Sequence, residues 1–294
     1  MATGETTFNS LSAAEPTIIG QARIIKAYDG TWMRTCEVQQ LGTGNGNTWN
    51  EFAVSQVQSA DIGGETLNGT YQQITGTLLT GTPSMTQVIL KITDETMRKL
   101  PNVVTGKFGS LAGQAMATKK DQDYLALFSS AATTTSPGTG NPLSHGHIAA
   151  SVANIQGNTT EPSMDLISTV IHGFQKYDLQ IEVTAPVGTY MMQGLSEEVY
   201  RKGWSGTVAG SNVFTDGNIT VNSTPDARGA THSRGGVVAL SAMAIKTEKD
   251  RDLYFGGGAD VLSMVDDYGF FERTSGTTQV WLYTHLSDAT APAS

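Results

Sequence analysis

The groups in this chain able to ligate a metal or to move a proton near neutral pH are five histidines, one cysteine and 27 acidic side chains. His145-Gly146-His147 offers two imidazoles one residue apart. A zinc site needs three or four ligands, and the pair lies in a polar stretch with no third histidine or carboxylate close by in sequence. His172, His232 and His285 stand singly, which suits structural rings better than catalytic ones. Asp266-Asp267 and Glu197-Glu198 are adjacent acids whose side chains diverge, so both pairs are expected in solvent. Glycoside hydrolysis needs two carboxylates brought from separate positions, and nothing in the sequence singles out such a pair. Cys36 has no partner for an internal disulfide and reads as a small buried apolar residue in a protein assembled in a reducing cytoplasm.

Nucleophile and phosphate motifs fail on their spacing. A serine elbow needs G-x-S-x-G; Phe108-Gly109-Ser110 and Gly203-Trp204-Ser205-Gly206 lack the outer glycines. Gly42-Thr43-Gly44-Asn45-Gly46 and Gly256-Gly257-Gly258 fit neither the dinucleotide fingerprint nor the phosphate loop, and G-K-[ST] does not occur. No catalytic, cofactor-binding or metal-binding residue is assigned, and no cofactor is expected.

Composition narrows the class. With 15% charged residues, 38% hydrophobic residues and 33 glycines among 294 residues, the chain reads as β-rich with many turns. A net charge of −9 repels phosphate backbones and removes the counterion-release drive behind nucleic-acid affinity, so a dedicated DNA binder is excluded. The first residues, MATGETTFNSLSAAEPTII, lack a basic segment followed by an apolar run, and no stretch approaches the ~18 apolar residues of a membrane span. The product is expected to be soluble and intracellular at synthesis. The N-x-S/T sequences at Asn68, Asn158, Asn218 and Asn222 then carry no sugar.

The elements that would position any site are organised around residues 101–131. Val104, Phe108, Leu111 and Ala115 recur at helical spacing, widened by Ala112 and Met116. After the polar run 118–123, Tyr124, Leu127 and Phe128 resume it. A continuous helix of roughly 29 residues at about 1.5 Å each would be about 43 Å long, with Phe108 and Leu111 in the core. A break near Gly109 is the alternative. Just before it, Thr93 caps a short helix with Asp94 and Glu95 in its first turn, Arg98 and Lys99 in its last, and Pro101 beyond.

Around that axis the remaining segments are short. Residues 1–15 are small and polar and read as a flexible arm. Strands are expected over 18–28 and 31–41 joined at Asp29-Gly30, and over 48–57, 70–79 and 84–92, making residues 22–92 an extended β arm. A loop covers 132–143. A helix is expected over 160–177, with Leu166, Val170, Ile171 and Phe174 on one face, then strand, turn and strand over 178–195 and a short helix over 196–204. Strands at 235–247, 260–274 and 278–286 close the chain, the last packing back onto the long helix, and residues 287–294 form a disordered tail.

Two segments carry a resemblance. KITDETMRKLPNVVTGKFGSLAGQAMATKKDQDYLALF looks like the entry into a spine helix, and ATHSRGGVVALSAMAIKTEKDRDLYFGGGADVLSMVDDYGFFERTSGTTQVWLYT, with its aromatic-glycine pair Tyr268-Gly269, looks like a closing set of strands. In their order the chain resembles the major capsid protein of tailed bacteriophages, the Hong Kong 97-type capsid fold. The resemblance implies an α+β, Hong Kong 97-like fold with an N-terminal arm (1–21), an extended β loop with flanking strands (22–92), a peripheral domain with a long spine helix (93–143), an axial α/β domain (144–224) and closing strands shared by axial and peripheral domains (225–294). It further implies a structural, non-enzymatic protein of the virion, assembled in the host cytoplasm. Its copies would form pentamers and hexamers of an icosahedral shell around double-stranded DNA contacted weakly and non-specifically. Portal, scaffolding and decoration proteins are the other partners implied, and no membrane is.

Two departures from the family are legible. Some members cross-link a lysine of the extended loop to a neighbour's asparagine, yet no lysine lies between Val38 and Val88. Some carry a long helical scaffolding segment that is cleaved away, whereas about twenty residues precede the first expected strand. The alternative reading is another phage structural part, a tail-tube or decoration subunit, which would share the Thr- and Gly-rich composition without needing the long helix.

Overall fold

The computed structural model describes residues 30–42, 46–55, 57, 59, 72–99, 107–131, 133–158, 161–184, 206–254, 257–273 and 281–292. The expected flexible arm and first strand, the expected short helix at 196–204 and the expected strands within 185–195 lie outside them.

The first element, α1 (Trp32–Thr35), is a single turn where a strand is expected; Cys36 N–H donates to Trp32 O at 3.0 Å, and the strand β1 (Glu37–Gln40) starts only after it. Tertiary anchoring overrides β propensity here, because Thr31 at the start of the turn is tied by its N–H to Asp121, ninety positions away. A hairpin follows, β2 (Trp49–Val54) and β3 (Gly76–Gly81), then β4 (Ser84–Thr93) and α2 (Asp94–Lys99). The Thr93 hydroxyl caps α2 as expected, accepting from Thr96 N–H at 3.3 Å.

The long helix α3 (Phe108–Ser130) has 23 residues, about 34 Å. Residues 101–106 lie outside the described residues. Its buried face is not the expected one. Ala112, Met116, Asp121, Tyr124, Leu125 and Phe128 are buried, whereas Ala115 is exposed, Phe108 is half-buried and Leu111 is 39% exposed. The polar run 118–123 does not interrupt packing, because Lys120 and Asp121 find buried partners on the elements beneath.

Next come α4 (His145–Gln156), β5 (Ile167–Ile171) and α5 (Gly173–Thr184). Residues 145–147, read from the sequence as a polar stretch, open a helix whose Ile148, Val152 and Ile155 face the core. The helix expected over 160–177 is a strand followed by the start of α5, and the strand expected after residue 178 is the rest of α5. The apolar run Ile167–Ile171 is buried at every position, the pattern of a central strand covered on both faces, which periodicity cannot tell from a buried helix.

The chain ends in β6 (Thr207–Val208), β7 (Ser211–Thr215), β8 (Asp226–Ser233), β9 (Val237–Asp252), β10 (Ala259–Glu272) and β11 (Leu282–Asp288). The tail is ordered further than expected: Ser287 and Asp288 complete β11, and Ala289 is buried with its N–H donating to Pro225 O.

Among the described residues three sheets result. One has the order β1-β9-β10-β4, with β1 parallel to β9 and the other pairs antiparallel; one has the order β11-β8-β5-β7-β6, with β5 parallel to β7; the third is the hairpin β2-β3. A three-residue turn, Arg234–Gly236, carries the chain from β8 in the second sheet to β9 in the first. A Cβ on Gly236 would lie 2.9 Å from the Trp281 side chain, so glycine is what lets the crossing pass this close. Helix α3 bridges both sheets: Tyr124, Leu125 and Phe128 share one core with Val237 and Ala239 of β9, Val170 of β5, Ala230 of β8 and Leu282 of β11. The last strand, expected to pack back onto the long helix, reaches it through this shared core, with Leu282 its contribution.

Candidate assembly surface

The residues singled out for chemistry are taken up by structure. His145 at the start of α4 is held by Glu182 of α5, whose Oε2 accepts from the His145 N–H at 2.7 Å and lies 2.9 Å from Nδ1. His147 Nδ1 meets the Ser144 hydroxyl at 2.6 Å. The two rings therefore do not converge, and among the described residues no group of three or more His, Cys, Asp or Glu could hold a metal. His172 packs its ring on Phe174, and burial pushes its pKa down. His232 is fully buried: Nδ1 donates to Ser233 O at 3.0 Å, leaving Nε2 to accept from the Tyr124 hydroxyl at 2.7 Å. His285 contacts the hydroxyls of Thr231 at 2.8 Å and Thr135 at 3.3 Å. Burial pushes both His232 and His285 down to about 4, so both are neutral rings in the core. Cys36 is buried too, its thiol pushed up to about 12, and it has no thiolate character.

Asp266 corrects the expectation for the adjacent acids. It is fully buried and ion-paired with Lys120 of α3 at 2.5 Å, because alternate β10 side chains point to opposite faces and Asp266 takes the face beneath the helix. The Lys120 ammonium also sits 4.9 Å from the Tyr268 ring. Ser110 donates to Lys107 O within its own helix. Glu197, Glu198 and Ser205 lie outside the described residues. A cleft of about 630 Å³ opens between α3 and residues 218–228. Its Asp226 carboxylate already accepts from Gly140 N–H and Thr224, which leaves no acid-base pair there.

What the molecule presents instead is apolar surface on a rooted projection. The hairpin β2-β3 is anchored at one end. Trp49 is buried against Val238, Leu240 and Phe271, and its indole N–H donates to Gln39 Oε1 at 2.8 Å. Arg273 bridges Glu37 at 2.7 Å and Glu51 at 2.9 Å. Beyond this root one face is bare among the described residues: Phe52 is 63% exposed and Leu78 59% exposed, and they face each other across the ladder with Val54 on the same side. The Phe52 ring lies over Gly76, where a Cβ would come within 2.1 Å of it. Full burial of side chains of this kind is worth about 1.5–3 kcal/mol each. Two further uncovered places lie at opposite ends of the four-stranded sheet: Met85 and Ile89 are exposed on β4, and Leu253 and Tyr254 in the turn after β9. Ion pairs of Arg251 with Asp94 and of Lys91 with Asp252, both 2.6 Å, tie β9 to α2 and β4 beside that turn. The signal for the hairpin was in the sequence as strand pattern; which of its faces is bare was not.

A spine-like helix laid across a four-stranded sheet, an α/β unit at its far end and a rooted two-stranded projection together make the Hong Kong 97-like capsid fold, and this chain has that fold. It is similar to the capsid of Ralstonia phage GP4, with a TM-score of 0.68 and 9% identity over 94% of this chain and 97% of that one. The capsid of cyanophage P-SCSP1u gives 0.65 at 14% identity over 94% and 93%. The cyanophage Pam1 capsid gives 0.65 at 11% over 94% and 98%. No family model and no curated protein matches the sequence.

Proposed function

We propose that this chain is the major capsid subunit of a tailed bacteriophage, a structural protein that self-assembles into the pentamers and hexamers of an icosahedral shell enclosing double-stranded DNA. The observation that carries the reading is the end-to-end likeness to capsid chains, which covers more than nine-tenths of both partners in the matches above. The bare apolar face of the hairpin supports it, since a neighbouring copy would supply the cover. In this reading residues 1–21 are the N-terminal arm, 22–92 the extended loop with its flanking strands, 93–143 the peripheral domain, 144–224 the axial domain and 225–294 the strands that close both. The acidic balance suits a wall that contacts DNA weakly and without sequence preference. Scaffolding, portal and decoration proteins would be its other partners, and the host cytoplasm the place of assembly.

Electron microscopy of the purified chain, with sedimentation, tests the proposal. Closed shells or rings of five and six subunits are expected. Stacked rings or tubes would instead make it a tail-tube subunit.

A further inference from the structure

Two carboxyl groups are buried together where the three parts of the described core meet. Asp121 comes from the middle of α3, and Asp216 follows β7, its N–H donating to Ile171 O at the end of β5. Both side chains are without solvent exposure. Thr31, which leads into α1 and the four-stranded sheet, reaches both: its N–H donates to Asp121 Oδ1 and its hydroxyl to Asp216 Oδ2, each at 3.0 Å. Asn218 also reaches both, its side-chain amide donating to Asp121 Oδ2 at 2.8 Å and its backbone N–H to Asp216 Oδ1 at 2.9 Å. Gly30 packs so tightly that a Cβ there would stand 2.3 Å from Asp121 Oδ1.

All four donors are neutral, and among the described residues neither carboxyl has an ion pair. Lys120, next to Asp121 on α3, is turned to Asp266. Of the other titratable groups around the pair, Tyr124 of α3 and Cys36 after α1 are held protonated by burial and His232 of β8 is held neutral, while burial pushes the pKa of His172 at the end of β5 down against the pull of the Asp216 charge. Two carboxylates held by the same two residues and shut away from water resist both being ionised. We propose that Asp121 and Asp216 share one proton, and that this proton makes the contact a pH-controlled joint between the long helix, the segment entering the four-stranded sheet and the five-stranded sheet. On deprotonation the pair releases one proton to solvent and keeps two like charges facing each other.

The sign follows from the direction of the shift. Burial, with the neighbouring Asp216 charge adding to it, pushes Asp121 from 3.8 up to about 6. A raised carboxyl stabilises the fold below its ordinary value and loses that contribution as pH rises through about 6. The joint is therefore tight in mild acid and loosened at neutral and higher pH. About two units correspond to a change on the order of one hundred-fold in the folding constant.

Denaturant unfolding of the full chain from about pH 5 to about pH 8 tests this, with Asp216→Asn as the first variant. Its amide can give a hydrogen to Asp121 in place of the shared proton, and the Thr31 hydroxyl can turn to accept from it. The wild type is expected to lose at least about tenfold more in folding constant than the variant over that interval; the comparison cancels His232 and His285, present in both, while His172, which feels the Asp216 charge, needs its own control. Parallel pH profiles would overturn the proposal. So would a His172→Gln variant that abolishes the wild-type slope, since the histidine would then be the switch. If Asp216→Asn does not fold, hydrogen exchange of the wild type decides: protection of residues 30–36 and 216–219, corrected for intrinsic rates, should fall toward pH 8, and unchanged protection sinks the idea. These readouts concern the folding of one subunit, so they stand or fall apart from the capsid reading.

Discussion

Lys120 and Asp266 show how a single residue is used here. Their side chains are 13% and 1% exposed, so the ion pair is held in a region where neither charge is well solvated alone. Replacing Lys120 with Met should therefore destabilise the subunit by about 3–5 kcal/mol, because the carboxylate is left buried without a partner. Adding Asp266→Asn to that variant removes the charge and should recover part of the loss. Denaturant unfolding of the two variants checks both steps; equal stability of the single and double variants would mean that the pair is not coupled. The sequence made His232 and His285 legible as structural rings, since a single histidine among β-prone residues has few other uses. Asp266 was not legible, because its partner lies on an element 146 positions earlier in the chain, and adjacency to Asp267 says nothing about which face of a strand each acid takes.

At the scale of elements, the long helix was visible from its spacing but its orientation was not. Apolar periodicity favoured the stripe through Leu111 and Ala115, yet the face turned to the sheets includes Lys120 and Asp121, whose polarity is satisfied only by groups brought in from afar. A pattern that counts only apolar residues rotates such a helix away from its true face. This gives a sharp contrast between two substitutions. Leu111→Asp, at a position 39% exposed, should leave the thermal midpoint within a few degrees of wild type. Phe128→Ala, at a position 1% exposed and packed edge-on against Tyr124, should cost about 3–5 kcal/mol. Thermal unfolding of both variants is the check, and a severe loss in Leu111→Asp would restore the stripe read from periodicity. The exchanged strand and helix around Ile167–Ile171 have a similar origin: five consecutive buried residues carry no period, so the central strand and the helix after it were read one element out of step.

For the whole molecule, the order of parts was the most legible property, because it rests on many weak signals that agree: a capped short helix before a long one, β-rich stretches on either side, and turn-rich breaks between them. What composition could not reveal is where the folded chain leaves apolar surface bare. The hairpin makes this concrete, since Trp49 and the Arg273 bridges root it firmly while Phe52 and Leu78 beyond the root stay more than half exposed. Residues that contribute to assembly alone should be separable from those that contribute to folding. The double substitution Phe52→Asp and Leu78→Asp places two charges on a face that is already wet in the isolated subunit, so the thermal midpoint of the unassembled chain should stay within a few degrees of wild type. In a shell the same face would meet a neighbour, and two unpaired charges buried there would each cost several kcal/mol at every such contact. Sedimentation should therefore show the double variant as a folded small species under conditions in which the wild type forms rings or shells. Shells of normal yield from the double variant would move the contact to the other bare strand face, at Met85 and Ile89 of β4, and the same pair of measurements on Met85→Asp and Ile89→Asp would then locate it.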